Sequence, residues 1–65
     1  MNNSDYPKET EVQLLEKIGK YEIEIVMNKK LFELKVIPEE LYKIVTDKLL
    51  IKIESQKEKL YLISR

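Results

Sequence analysis

The side chains that most often do chemistry near neutral pH are His and Cys, or a carboxylate or lysine whose pKa has been tuned by burial. This chain has no His and no Cys. The remaining acid-base candidates are Glu22, Glu24, Glu33 and Glu54, and each alternates with apolar neighbours at strand spacing, the pattern of a solvated sheet face rather than of a catalytic pair. Ser4, Ser55 and Ser64 fall in a tail, a turn and a terminus, with no base at hand to activate a hydroxyl. A single glycine, Gly19, is too few for a phosphate-cradling loop. Without thiolate or imidazole the common soft and borderline metal sites are excluded as well. The expectation is a protein that is not an enzyme, with no cofactor, no metal and no small-molecule substrate.

Binding is the alternative to catalysis, and two kinds of surface are candidates. Lys29, Lys30, Lys48 and Lys52 can form a basic end, with Tyr42 or Tyr61 available to stack on bases. Against a nucleic-acid reading, 12 Lys+Arg are balanced by 12 Asp+Glu, so no global field steers the chain to phosphate. Its one arginine, Arg65, is terminal, and arginine is the commonest reader of guanine. Lysines at a turn also serve to block edge pairing. The other kind of surface is apolar, and it depends on the elements.

At 65 residues the chain holds one domain, expected over residues 9–65 behind a flexible arm at 1–8 that contains Tyr6 and Pro7. A domain of this size buries only about 60% of the surface its unfolded chain exposes, so it needs a staple, a partner or a very well packed core. Disulfides and zinc are ruled out by composition, which leaves self-association or packing. Lys, Ile, Glu and Leu dominate and Ala is absent, a bias typical of AT-rich genomes and consistent with a phage or mobile-element origin. No apolar run approaches the roughly 18 residues of a membrane span. The start Met1-Asn2-Asn3-Ser4-Asp5 lacks the basic and apolar regions of a signal peptide, so a cytoplasmic location is expected.

Thr10-Glu11-Val12-Gln13 fits a capping box. A short helix should follow, with Val12, Leu15 and Ile18 on one stripe, Leu14 beside it, and Gly19 as the left-handed residue that ends it. From Tyr21 to Ile37 apolar and polar residues alternate around Asn28-Lys29-Lys30, which predicts a β-hairpin with Glu24 across from Lys35. Pro38-Glu39-Glu40 opens a second helix, in which Glu39 can pair with Lys43 and which should stop near Lys48. Leu49 to Glu54 and Leu60 to Ser64 resume the alternation as a second hairpin about Ser55-Gln56-Lys57-Glu58.

The expected fold class is therefore α+β: a short N-terminal helix, then β-hairpin, helix and β-hairpin, giving a four-stranded sheet packed on a helix. Its inward face would gather Ile23, Ile25, Met27, Phe32, Leu34, Val36, Ile51, Ile53, Leu60 and Leu62. Its other face carries more apolar side chains than a solvated face needs, namely Val26, Ile37, Leu50, Tyr61 and Ile63, and these are the candidate protein interface. The functional expectation is a small non-enzymatic protein-binding or regulatory module, acting as a homodimer or by docking on a larger protein. The alternative is a small nucleic-acid-binding regulator that uses the lysine-rich end.

Overall fold

The computed structural model describes residues 10–64, and over them the chain is an antiparallel pair of helices, α1 over Glu11–Glu33 and α2 over Glu39–Ser64. Among the described residues there is no strand. The α+β expectation is overturned: both anticipated β-hairpins and the four-stranded sheet are replaced by helix. The anticipated arm at 1–8, with Ser4 and Tyr6, lies outside the described residues, as does Arg65.

The start of α1 follows the local chemistry expected of it. Thr10 is extended at the N-cap; the Gln13 backbone N–H donates to its Oγ1 at 3.2 Å, and the Thr10 N–H donates to Gln13 Oε1 at 2.9 Å. Two otherwise orphaned amides are thereby satisfied. Gly19, however, does not end the helix. It sits mid-helix without positive φ, where a glycine costs about 1 kcal/mol relative to alanine.

The end of α1 is set fourteen residues later by a Schellman motif. Leu34 is the C-cap, and Lys35 follows in the left-handed region at φ 63°. The Val36 N–H donates to the Leu31 carbonyl and the Lys35 N–H to the Phe32 carbonyl, both at 2.9 Å, the two bonds that define the motif. The chain then reverses through residues 34–38. α2 begins as Pro38 accepts from the Tyr42 N–H at 3.0 Å, with Glu39 and Glu40 favourably placed at the positive end of the helix dipole. The Glu39–Lys43 ion pair anticipated from spacing forms at 3.3 Å between exposed side chains. Lys48 is not the end of this helix, which runs on through the whole of the expected second hairpin.

What holds the two helices together is a seam in coiled-coil rhythm. On α1 the covered positions are Leu14, Ile18, Tyr21, Ile25, Asn28 and Phe32; on α2 they are Tyr42, Thr46, Leu49, Ile53, Gln56 and Leu60. Steps of four and three residues alternate along each set, the spacing that keeps a seam facing its partner. The register is visible in three cross-contacts. Phe32 stacks on Tyr42 with ring centroids 4.5 Å apart and planes 7° from parallel, the Lys52 ammonium lies 5.6 Å from the Tyr21 ring centre, and Asn28 reaches Tyr42 and Thr46. Among the described residues the buried apolar side chains are Leu14, Ile18, Leu49 and Ile53.

The change of period redistributes the expected core. Ile25, Phe32, Ile53 and Leu60 do turn inward, but Ile23, Met27, Leu34, Val36, Ile51 and Leu62 are exposed. A helix turns about 100° per residue, so alternate residues that share a strand face are thrown to opposite sides. The result is a rod of 47 × 19 × 18 Å. Among the described residues no helix is long and apolar enough to cross a membrane.

Candidate functional site

Two-helix packing covers one stripe on each helix, so any further apolar stripe is left facing outward. On α1 such a stripe runs Val12, Leu15, Gly19, Ile23, Val26. At 100° per residue these five positions fall within about 80° of arc, on the side of the helix turned away from the seam. Val12, Leu15, Ile23 and Val26 are 62%, 54%, 62% and 67% exposed. Gly19 opens a shallow groove in the middle of the stripe, lined also by Glu22, Ile23, Val26 and Met27. A Cβ placed on Gly19 would meet no atom within 4 Å, so nothing inside the hairpin requires glycine there.

The outer surface of α2 is apolar in patches rather than in a stripe. Ile44, Ile51 and Leu62 lie on its far side, and Leu50 and Tyr61 lie a quarter-turn away with Glu54 and Lys57 between them. A groove near the end of α2 is lined by Glu54, Lys57, Glu58, Tyr61 and Leu62.

The interface residues read from the sequence are dispersed by this geometry. Val26 belongs to the α1 stripe, Ile37 is half-buried in the connection, and Leu50, Tyr61 and Ile63 stand on α2, with Ile63 at the edge of the seam. The sheet face that was to unite them does not exist. Of the stripe that the structure does bring together, the sequence reading singled out Val26 alone as an interface residue; Leu15 and Val12 were assigned to a buried helix stripe and Ile23 to a sheet core. The signal that finds them is the second set of three-and-four spacings, offset from the first.

The lysines fare similarly. Lys29 and Lys30 lie near the end of α1, whereas Lys48 and Lys52 lie toward the middle of α2, so the four are strung along the rod rather than gathered at one end. Lys52 is engaged over Tyr21, and Tyr42 is stacked on Phe32 in the seam, which removes it as a base-stacking platform. Glu22, Glu33 and Glu54 are exposed and Glu24 is half-buried, spread over both helices. Among the described residues no group of three His, Cys, Asp or Glu side chains is placed to hold a metal ion.

The polar atoms inside the seam are structural in their geometry. Asn28, 7% exposed, donates through Nδ2 to the Tyr42 carbonyl at 3.0 Å and to Thr46 Oγ1 at 3.1 Å. Gln56, 8% exposed, has an Oε1 without a hydrogen-bond partner. Comparison with protein-family models, with curated proteins and with solved structures finds no match to this chain.

Proposed function

We propose that this chain is a non-enzymatic protein-binding module, a helical hairpin that offers the outer face of α1 to a partner helix or apolar groove. The observation that carries the reading is the imbalance between the two stripes of α1. Its seam is interrupted by a buried Asn28, while its outer stripe of Val12, Leu15, Ile23 and Val26 is uninterrupted by charge except at the margins and is more than half exposed. A helix that is apolar on both sides is a helix built to be covered on both sides. The absence of His and Cys and the scatter of carboxylates along the rod support a role in contact rather than in catalysis. A cytoplasmic setting goes with this reading, since a highly charged, cysteine-free chain draws nothing from an oxidising compartment.

The test is to charge the stripe. A variant carrying Val12→Lys, Leu15→Lys, Ile23→Lys and Val26→Lys should keep its helical circular dichroism and its Tm in dilute solution, because lysine is a good helix former and these positions are more than half exposed. It should also lose the fluorescence of an apolar-surface dye that the parent chain binds. A fall in Tm beyond about 5 °C, equivalent to about 1 kcal/mol for a domain of this size, would show that the stripe stabilises the hairpin itself and would refute the proposal.

A further inference from the structure

We infer that the occupant of the α1 stripe is a second copy of this chain, packed antiparallel along α1 with Gly19 on the two-fold axis; the inference rests on the protein-binding reading and names its partner. The stripe is a palindrome. Val12 and Val26 stand seven residues to either side of Gly19, and Leu15 and Ile23 stand four to either side. An isologous contact needs a surface that meets itself under a two-fold rotation, and this stripe does so when two copies run in opposite directions. Val12 of one copy then shares a layer with Val26 of the other, Leu15 shares one with Ile23, and glycine meets glycine at the centre.

The charges beside the stripe agree with that direction. On one flank Glu16 of one copy lies within about two residues' rise, roughly 3 Å along the axis, of Lys20 of the other, and on the opposite flank Glu11 stands at the same offset from Lys29. Each pairing occurs twice by symmetry. A parallel pairing instead sets Glu16 of one copy on the flank that carries Glu11 and Glu22 of the other, which is repulsive. Gly19 supplies the remaining argument. Inside the hairpin the position is open and half-buried and tolerates a larger side chain, yet it holds the residue least suited to a helix interior. At the crossing point of two helices a missing Cβ lets the backbones approach and the flanking Leu15 and Ile23 interdigitate.

Three measurements on the full chain test this. In analytical ultracentrifugation the parent chain should move with rising concentration from its 7.8 kDa chain mass toward twice that value. Gly19→Leu should weaken the association at least about tenfold, while the dilute monomer melts at the same temperature or higher because the added side chain meets open space. Because the chain has no cysteine, thiols can be placed at will. Mixing a Val12→Cys chain with a Val26→Cys chain should give an efficient cross-link with a short bismaleimide. Val12→Cys alone should not, since its two copies lie about 21 Å apart along the axis.

A monomer mass up to about 1 mM overturns the pairing. So does a Gly19→Leu variant that associates like the parent, or a Val12→Cys chain that cross-links to itself, which is the parallel arrangement. The protein-binding reading has its own readout: if the unaltered chain stays monomeric yet binds the dye, and the four lysines abolish that binding without lowering Tm, the second copy is lost but the docking face is kept. A hairpin that melts when the stripe is charged loses both.

Discussion

The polar contact in the middle of the seam offers the sharpest test of the hairpin's register. Asn28 reaches from α1 across to α2 with two hydrogen bonds, at 3.0 Å to the Tyr42 carbonyl and 3.1 Å to Thr46 Oγ1. Each such bond contributes about 1 kcal/mol net, so Asn28→Ala should cost about 2 kcal/mol before any repacking. That is a large share of the few kcal/mol available to a chain of this length. Thr46→Val removes only one of the two bonds and should cost about 1 kcal/mol. The hydroxyl left behind in Asn28→Ala can fall back on the carbonyl four residues earlier, Tyr42, so it is not stranded. Because both single variants break the same Asn28–Thr46 bond, the double variant should cost about 2 kcal/mol rather than about 3, a coupling of about 1 kcal/mol. Urea unfolding followed by circular dichroism measures all four proteins, at one low concentration so that association adds equally little to each. Strict additivity, or a cost below about 0.5 kcal/mol for Asn28→Ala, would mean that the two helices do not meet in this register.

Three further substitutions probe the seam and the caps. Gln56→Leu should stabilise the hairpin by about 1 kcal/mol or more, seen as a higher urea midpoint, because it removes a buried Oε1 that has no partner. Lys35→Gly should add about 0.5–1 kcal/mol, since Lys35 occupies the left-handed region that glycine adopts without a Cβ clash; an unchanged or lower Tm would contradict the Schellman assignment. Thr10→Ala should cost about 1 kcal/mol and fray the first turn of α1, detectable as faster amide exchange at Gln13, whose N–H loses its acceptor.

How the helices begin was legible in the sequence, and what lies between was not. The capping box at Thr10 and the Pro38-Glu39-Glu40 start both form where local chemistry puts them, as does the Glu39–Lys43 pair. These are short-range devices that depend on a few neighbouring residues. The period of the middle is different, because it must be inferred from which side chains are buried. In Tyr21-Glu22-Ile23-Glu24-Ile25-Val26-Met27 the alternating apolar positions are Tyr21 and Ile25 of the seam, Ile23 of the outer stripe between them, and the exposed Met27. Superimposing two helical stripes thus imitates the alternation of a strand, and the β-branched Ile and Val strengthen the imitation. Asn28 completes it. A polar residue in the seam breaks the three-and-four rhythm and, followed by Lys29-Lys30, looks like a turn.

Gly19 was misread for the same reason. A glycine after two turns of amphipathic helix reads as a stop, since helix interiors rarely keep one, and the signal that the helix continues lies only in Tyr21, Ile25 and Phe32 further on. The stop that the chain does use is Lys35, a residue whose type gives no hint of positive φ. Of the candidate site, Val26 was singled out through a sheet that does not form; it is an exposed residue of α1.

The features that defeated the strand reading are also those that argue for a partner. A free-standing two-helix hairpin has one interface, so its sequence needs one apolar stripe per helix and can make the rest polar, which gives an unmistakable helical period. Here the buried apolar set among the described residues is Leu14, Ile18, Leu49 and Ile53, while Val12, Leu15, Ile23 and Val26 stand outside on the same helix that supplies the first two. Moving those four outer side chains out of water would add to the hydrophobic stabilisation at about 25 cal/mol per Å² of apolar surface covered, in a chain whose core alone has little to spare. The ambiguity of period and the thinness of the core therefore have one cause. The apolar residues of α1 are divided between an inner surface that folds the hairpin and an outer one that the hairpin by itself leaves in solvent.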